Sequence, residues 1–296
     1  MSAVAINTSV PRLDAGTVAA VLVTIIAWAS AFPGIRVGLT AFGPAELGAI
    51  RFGVAAIPAI VFLLHTRPQM PTWSEAWRFA YGGVVFVAFY TTLLNFGELT
   101  VSAGAASFII NVAPIFTAFM AMLFLGERFS RLAWLGTFVS FAGIGLIALG
   151  EGEGIKVDQG ALLILGAAFC TASTTIVQKP LFRRHKPLTV SAANMVIGAL
   201  ALSWALPSGI AQASSASFEA LVSVIYLGIV PSFVAYGSWA VALSRLPASR
   251  ATNFLYCVPP TATLMGFLWL GEVPGVAGII GGLMALGGVV LVNLKR

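Results

Sequence analysis

The sequence has few charged residues. Only 9% of its 296 residues are charged, whereas soluble domains carry about 25%. The mean hydropathy is +0.97, which excludes water as the main solvent of the fold. The net charge of +6 does not indicate a nucleic-acid partner, because Lys and Arg are scattered between apolar stretches and do not cluster on one face.

Cysteine and histidine are also scarce. The two cysteines, Cys170 and Cys257, lie in apolar segments, so we expect no disulfide framework. Neither His65 nor His185 lies within a long apolar segment, and the sequence has no cluster with metal-ligand spacing, no Walker motif and no nucleophile elbow. These absences argue against a primary pump or a hydrolase, and we expect no metal and no cofactor.

Long apolar segments are what the chain has in abundance. A polar N-terminal tail, residues 1–14, precedes the first of them and has no small-residue cleavage site, so this segment should be retained. A transmembrane helix needs about 20 residues to satisfy its backbone inside lipid. The sequence thus predicts an all-α integral membrane protein with ten transmembrane helices, at residues 15–33, 46–64, 79–96, 102–125, 132–149, 160–178, 188–206, 218–243, 248–270 and 276–294.

The distribution of basic residues predicts the orientation. Short cytoplasmic loops of membrane proteins hold an excess of Lys and Arg. With a cytoplasmic N-terminus, the inner segments hold thirteen basic residues and the outer loops hold only Arg36 and Lys156. Adding or removing one helix would destroy this asymmetry. We therefore expect a multi-pass protein of a bacterial-type inner membrane with both termini in the cytoplasm.

The chain repeats itself at a shift of 145 residues. Residues 106–114 align without a gap with residues 251–259, and the match continues through the Leu-Gly-Glu sequences that end at Glu127 and Glu272. A repeat of five helices enters the membrane from opposite sides in its two copies, which predicts two inverted halves. The expected organisation is a cytoplasmic tail (1–14), a first repeat (15–150), an outside linker (151–158) and a second repeat (159–296).

These motifs resemble the EamA type of the drug/metabolite transporter superfamily. The resemblance covers nearly the whole chain and rests on the fourth and ninth segments, where Pro114 precedes Gly126-Glu127 and Pro259 precedes Gly271-Glu272 at equal spacing. Within the superfamily the sequence is most similar to aromatic amino-acid exporters of the YddG type. The resemblance implies a ten-helix carrier that exports small metabolites by alternating access.

The fourth and ninth segments carry polar residues on one helical face each. Helical spacing groups Ser107 and Asn111 with Pro114, and it groups Thr252 and Tyr256 with Pro259. A proline within a span frees a carbonyl group one turn back, which suits a cavity wall. The alternative is a structural kink whose polar residues pack between helices. We take Asn111 and Tyr256 as the principal substrate-binding candidates, and Pro114 and Pro259 as the kinks.

Other polar and aromatic side chains are predicted at comparable depth. An amphipathic rim of such groups would accept varied amino-acid side chains, while amides and hydroxyls would hold the amino and carboxylate groups. For any single aromatic residue the alternative is packing against lipid or another helix. The additional substrate-binding candidates are Trp28, Tyr90, Asn95, Tyr236, Trp239 and Asn253.

Four charged residues are candidates for gates or structural anchors. Arg51 is the only basic residue well inside a predicted span, where an unpaired charge costs at least ~2.5–3.5 kcal/mol. It could bind a carboxylate or act in a gate, with Glu46 as its neighbour, or it could anchor the helix at the outer interface. Glu127 and Glu272 follow glycines at repeat-equivalent helix ends, so they could cap a helix or form a gate contact.

No acidic residue is predicted near mid-membrane. Glu46 and Glu98 lie near the outer ends of their segments. Because proton-coupled carriers usually keep a carboxylate or histidine deep in the pathway, the sequence favours transport driven mainly by the substrate gradient.

The sequence therefore favours a secondary exporter of amino acids or related small metabolites, with no catalytic residues. The alternatives are a membrane channel or auxiliary subunit, or a lipid-modifying membrane enzyme, for which no clustered acid and base are visible. The expected partners are a small-molecule substrate and membrane lipid, without nucleic acid, and the protein is expected to function as a monomer.

Overall fold

A computed structural model of the chain describes residues 14–125, 131–151, 158–245 and 254–293. Every regular element in these ranges is helical. The helices are α1 (Ala15–Gly38), α2 (Pro44–Thr66), α3 (Trp73–Gly97), α4 (Ala103–Ile110), α5 (Ala113–Leu125), α6 (Arg131–Glu151), α7 (Gln159–Arg183), α8 (Pro187–Ala201), α9 (Leu206–Ala213), α10 (Phe218–Arg245), α11 (Leu255–Leu270) and α12 (Val276–Asn293).

Several helices are long and apolar enough to cross a membrane. Among the described residues, five helical segments meet both conditions, at α1, α2, α3, α7 and α10. The pair α8 and α9, bent by 48°, forms a sixth candidate, and four shorter apolar helices complete the set. Large apolar side chains cover the outer surface, including Leu64, Phe138 and Leu268, each more than 60% exposed. A surface of this kind requires lipid around it.

Contacts between helix ends show the direction of each segment. Near the C-terminal end of α1, Arg36 contacts Glu98 at the end of α3 and Glu272 after α11. Glu272 also contacts Ala103 at the start of α4. We call this the Arg36 end. At the opposite end of the fold, Asp14 before α1 pairs with Arg245 at the end of α10, with 3.1 Å between Nη1 and Oδ2. We call this the Asp14 end, where α3 starts and α7 finishes.

Helices that are equivalent by the 145-residue shift run in opposite directions. α1 and α3 run toward the Arg36 end, whereas their equivalents α7 and α10 run away from it. The fourth predicted span starts at the Arg36 end with α4, whereas the equivalent ninth predicted span finishes there with α11. The two-repeat organisation predicted from the sequence is consistent with this inversion.

The pair α6 and α12 shows the same symmetry in its contacts. A β-carbon placed on Gly143 would lie 2.5 Å from the carbonyl oxygen of Gly281, and one on Gly288 would collide with the carbonyl of Gly136. Gly281 and Gly288 are the 145-residue equivalents of Gly136 and Gly143, so each contact has its mirror partner. Ser140 Oγ donates to the Ala285 carbonyl, again 145 positions away, at 2.9 Å. The small residues therefore allow the backbones of α6 and α12 to pack in direct contact.

The structure differs from two of the predicted helix boundaries. Arg36 was expected in an outer loop, but it lies in the last turn of α1, which continues to Gly38. The fourth predicted segment is interrupted at residues 111–112, between α4 and α5. Pro114 explains this interruption because it lacks an amide hydrogen and its ring clashes with the preceding turn.

Candidate functional site

Aromatic side chains from three helices meet in the middle of the fold. The Trp28 ring on α1 lies 5.4 Å from the Tyr236 ring and 5.7 Å from the Trp239 ring, both on α10. The Phe86 ring on α3 lies 5.5 Å from the Tyr90 ring and 6.3 Å from the Tyr236 ring. These five residues, which we call the aromatic cluster, join helices of both repeats. Sequence reasoning named four of them and missed Phe86, which has no polar group to mark it.

Two of the three helices that carry the cluster, α3 and α10, contain a stretch of wider, π-helical turns. In α3 this stretch is Gly82–Phe89, directly before Tyr90, and in α10 it is Val230–Val234, two residues before Tyr236. The two stretches overlap under the 145-residue shift. π-Helical turns are rare and occur often at functional sites, because they turn side chains out of the regular helical register. Pro231 supplies a local cause in α10, since it cannot donate a backbone hydrogen bond.

Arg51 lies beside the aromatic cluster. Its side chain on α2 is 8% exposed, and its Nε donates to Ser232 Oγ at 2.9 Å. Ser232 is part of the π-helical stretch of α10, and its Oγ donates in turn to the Leu227 carbonyl at 2.9 Å. The charge of Arg51 acts electrostatically on Tyr90 and Tyr236. An arginine thus reaches the cluster from the first repeat and is held by the second.

No carboxylate pairs with Arg51 in the part of the chain that the structure describes. Glu46, its neighbour along α2, forms no ion pair with it there. A guanidinium group inside a membrane protein needs an anionic or hydrogen-bonding partner or water to offset its desolvation. A single hydroxyl group satisfies one of its five N–H donors, so the site has capacity for an acceptor such as a carboxylate.

Asn111 and Ser107 make their recorded hydrogen bonds within their own helix. Asn111 follows α4 at the interruption, and its Nδ2 donates to the Ser107 carbonyl at 2.9 Å. The fully buried Ser107 Oγ donates to the Gly104 carbonyl at 2.6 Å. Tyr256 lies in a short 3₁₀ turn, Leu255–Cys257, that precedes Pro259 in α11. The helix thus departs from α geometry at repeat-equivalent places, while the binding role of these residues stays a prediction.

Three predicted residues lie outside the described ranges, namely Thr252, Asn253 and Glu127. Asn95 lies inside them and is fully buried on α3. Its Nδ2 donates to the Pro44 carbonyl at the start of α2, at 2.8 Å.

Glu272 connects three helices at the Arg36 end. Its Oε1 accepts from Arg36 Nε at 3.0 Å and its Oε2 accepts from the Ala103 amide at 2.9 Å. Gly271 makes this geometry accessible, because its left-handed φ of 68° ends α11 and turns the chain back. A carboxylate at the start of α4 is also stabilised by the helix dipole. We call the Arg36–Glu272–Ala103 contact the latch.

The Asp14 end carries a different polar network, which sequence reasoning missed. Gln178 of α7 and Asn194 of α8 exchange two hydrogen bonds of 2.9 and 3.0 Å between their buried amides. Nearby, Glu75 accepts from Arg184 at 3.0 Å and lies 3.3 Å from His185 Nε2. Arg184, which lies between the sixth and seventh predicted spans, is therefore paired with an acidic residue at the start of α3.

A groove on the molecular surface lies away from these polar residues. It runs between α6 and α12 and is lined by apolar side chains that include Val139, Leu283 and Leu291. With no polar group to orient a ligand, this groove is a lipid-facing surface and not a candidate substrate site.

Inverted sets of apolar helices around a buried arginine and an aromatic cluster define a class of protein, the membrane transporter built from inverted repeats. Comparison with known families makes the assignment specific. The chain belongs to the EamA-like transporter family, which matches it twice, over residues 16–149 and 158–294. The resemblance to the drug/metabolite transporter superfamily noted in the sequence is thereby confirmed.

Two curated relatives cover most of the chain. A probable terminal-alkyne amino-acid exporter of Streptantibioticus cattleyicolor is 36% identical over 93% of this chain and 93% of its own length. The uncharacterized transporter YdfC of Bacillus subtilis is 35% identical over 90% of this chain and 88% of its own length. A solved structure superimposes with a TM-score of 0.61 over 93% of this chain and 95% of that chain, at 17% identity. That similarity shows a shared fold.

Proposed function

We propose that this transporter exports amino acids by alternating access and performs no covalent chemistry. The similar exporter of Streptantibioticus cattleyicolor, whose name specifies an amino-acid substrate, supports the substrate class. The inverted repeats support the mechanism, because two symmetric halves can exchange their conformations about a fixed central site.

The proposed topology has ten transmembrane helices in two repeats, residues 15–150 and 159–296, in the inner membrane. Both termini lie in the cytoplasm, so the Asp14 end is the inner side and the Arg36 end is the outer side. The thirteen-to-two distribution of basic residues supports this orientation. The opposite directions of α1 and α7, and of the fourth and ninth predicted spans, support the pairing of the repeats.

The proposed substrate site lies between Arg51 and the aromatic cluster. The observation that carries it is the buried guanidinium of Arg51, which is held by Ser232, has no carboxylate partner among the described residues and lies beside Tyr90 and Tyr236. The carboxylate of an amino acid supplies the missing charge, and the aromatic rings contact its side chain. Asn111 and Tyr256 are proposed as further contacts from α4 and α11.

The latch is proposed as the outer gate. Arg36 and Glu272 belong to different repeats, and Ala103 lies where the chain enters α4. Breaking these contacts frees the outer ends of α1, α4 and α11 to separate. With the latch formed, the outer side is closed.

Growth protection tests the substrate class. The chain is expressed in a bacterium that lacks its own amino-acid exporters and is challenged with toxic analogues, including an amino acid with a terminal alkyne and several aromatic analogues. We expect protection against analogues that keep the α-carboxylate, and none for Arg51→Ala at equal membrane abundance. Protection against unrelated toxic cations instead would contradict the proposal.

A further inference from the structure

One face of α3 carries buried oxygen atoms that lack hydrogen-bond partners. Thr91, Asn95 and Glu98 follow each other at steps of four and three residues, so their side chains lie on the same side of the helix. All three residues are 0% exposed. Among the described residues, Thr91 Oγ1, Asn95 Oδ1 and both carboxylate oxygens of Glu98 have no hydrogen-bond partner. We call this set the α3 polar stripe.

Glu98 is the least expected member of the stripe. It lies at the outer end of α3, as the sequence predicted, and the structure buries it completely. A buried carboxylate is normally paired or hydrogen-bonded, because moving the bare charge out of water costs several kcal/mol. A carboxyl group without a partner in such a place avoids this cost when it binds a proton.

The two arginines that act on the Glu98 carboxyl group form their hydrogen bonds with other groups. Arg36 Nη1 donates to the main-chain carbonyl of Glu98 at 2.6 Å, while its Nε pairs with the Glu272 carboxylate. Arg51 donates to Ser232. Both guanidinium groups act on the Glu98 carboxyl electrostatically without a hydrogen bond to it, and Glu272 adds a negative charge that opposes its ionisation.

The described residues of the other elements around Glu98 supply no further cation. Tyr90 lies on α3 itself, Cys170 lies on α7, and Asp158 at the start of α7 accepts from Thr100 Oγ1 at 2.8 Å. In the described part of the chain, the missing hydrogen-bond donor is thus not provided by a side chain. A proton on Glu98 removes the negative charge that such a donor would have stabilised, and the neutral carboxyl group then donates through its own O–H.

We propose that Glu98 is a proton-binding site that couples amino-acid export to entry of a proton. The inference rests on the proposed function and adds its energy source. The latch couples proton binding to the opening of the outer side, since Arg36 contacts both the Glu98 carbonyl and the Glu272 carboxylate. When the latch opens, the Glu98 carboxylate takes a proton from the outer side. When the latch closes, the stripe of Asn95 and Thr91 leads from Glu98 toward Tyr90 and the substrate site, along which the proton leaves.

Proteoliposomes with a pH-sensitive dye inside test the coupling. The wild-type protein should accumulate a labelled amino acid against its gradient when a pH gradient is imposed, with proton movement in the opposite direction. Glu98→Gln, which mimics the permanently neutral carboxyl group, should keep exchange of amino acid across the membrane at uniform pH. It should lose both the pH-driven accumulation and the dye signal.

The matched control is Glu219→Gln, which removes an exposed carboxylate at the start of α10 and should behave as wild type. Accumulation in the wild type that ignores the pH gradient overturns the proton site while leaving amino-acid exchange, and with it the proposed function, intact. Accumulation driven by a sodium gradient overturns it as well. Absence of any amino-acid exchange refutes the proposed function and the coupling together.

Infrared titration covers the case in which Glu98→Gln fails to transport. The carbonyl band of a protonated carboxyl group should disappear on alkalinisation in the purified wild type and in Glu219→Gln. The same band should be missing from Glu98→Gln. An unchanged titrating band in Glu98→Gln would show that another group holds the proton and would overturn the proposal.

Discussion

Arg51 and Ser232 are 181 positions apart in the sequence, and their hydrogen bond joins the two repeats beside the aromatic cluster. If Arg51 binds the substrate carboxylate, Arg51→Ala removes one charge-assisted interaction, worth about 1.5–3 kcal/mol. The KM for an amino acid should then rise about 10- to 150-fold. The KM for the corresponding amine, which lacks the carboxylate, should not change. Transport kinetics for the two compounds measure the difference.

Arg183→Ala is the control for this substitution, because Arg183 is an exposed arginine outside the proposed site. An equal loss of transport for the amino acid and the amine in Arg51→Ala would show that Arg51 only stabilises the fold. The interpretation of Arg51 as a structural anchor, which the sequence also permitted, would then hold.

Trp28 contacts two rings of the aromatic cluster, Tyr236 and Trp239. Aromatic contacts contribute ~0.5–1.5 kcal/mol each, so Trp28→Ala should weaken affinity for aromatic substrates about 2- to 12-fold more than for alanine. Competition between labelled and unlabelled amino acids measures this ratio. Trp204→Ala, which truncates a tryptophan that is 70% exposed, should leave the ratio unchanged. Equal effects on large and small substrates would exclude Trp28 from the side-chain pocket.

At the scale of elements, the contact between α6 and α12 depends on glycine. A β-carbon at Gly143 would lie 2.5 Å from the Gly281 carbonyl, while one at Gly145 would meet nothing within 4 Å. Gly143→Ala should therefore destabilise the protein by about 1–3 kcal/mol through overpacking. Gly145→Ala should instead stabilise the helix by about 0.5–1 kcal/mol. Thermal unfolding in detergent measures both, and a loss of similar size in the two variants would contradict the packing described.

The sequence predicts the helices better than it predicts the site. The lengths of the apolar segments and the basic residues in the loops predict where the helices lie. The glycines at 136, 143, 281 and 288 reveal the repeat, and the structure shows the contacts that they make. The bond from Arg51 to Ser232 is not visible in the sequence, because no local pattern links residues in different repeats. The burial of Glu98 was missed for the same reason, since it depends on how α1, α2 and α7 pack around the end of α3.

At the scale of the whole molecule, the latch is expected to set the balance between closed and open outer sides. Glu272→Gln removes the ion pair with Arg36 and weakens the cap on α4, so the outer side should open more often. Val101, between α3 and α4, is fully buried while the latch is formed. In a variant with Val101→Cys and the native cysteines replaced by serine, a membrane-impermeant thiol reagent should label faster after Glu272→Gln.

Asp14→Asn provides the control for the latch, because it removes an exposed ion pair with Arg245 at the opposite end. It should leave labelling of the cysteine at position 101 unchanged. If Glu272→Gln also leaves the labelling rate unchanged, the latch is a structural contact and does not control access.

The central claim is that this member of the EamA-like family is a secondary carrier of amino acids. Counterflow in proteoliposomes tests it most directly: vesicles loaded with an unlabelled amino acid are diluted into a trace of the labelled compound. A carrier predicts transient, saturable accumulation of label that depends on the internal amino acid. Flux that does not saturate and shows no dependence on the internal amino acid would indicate a channel and would contradict the account.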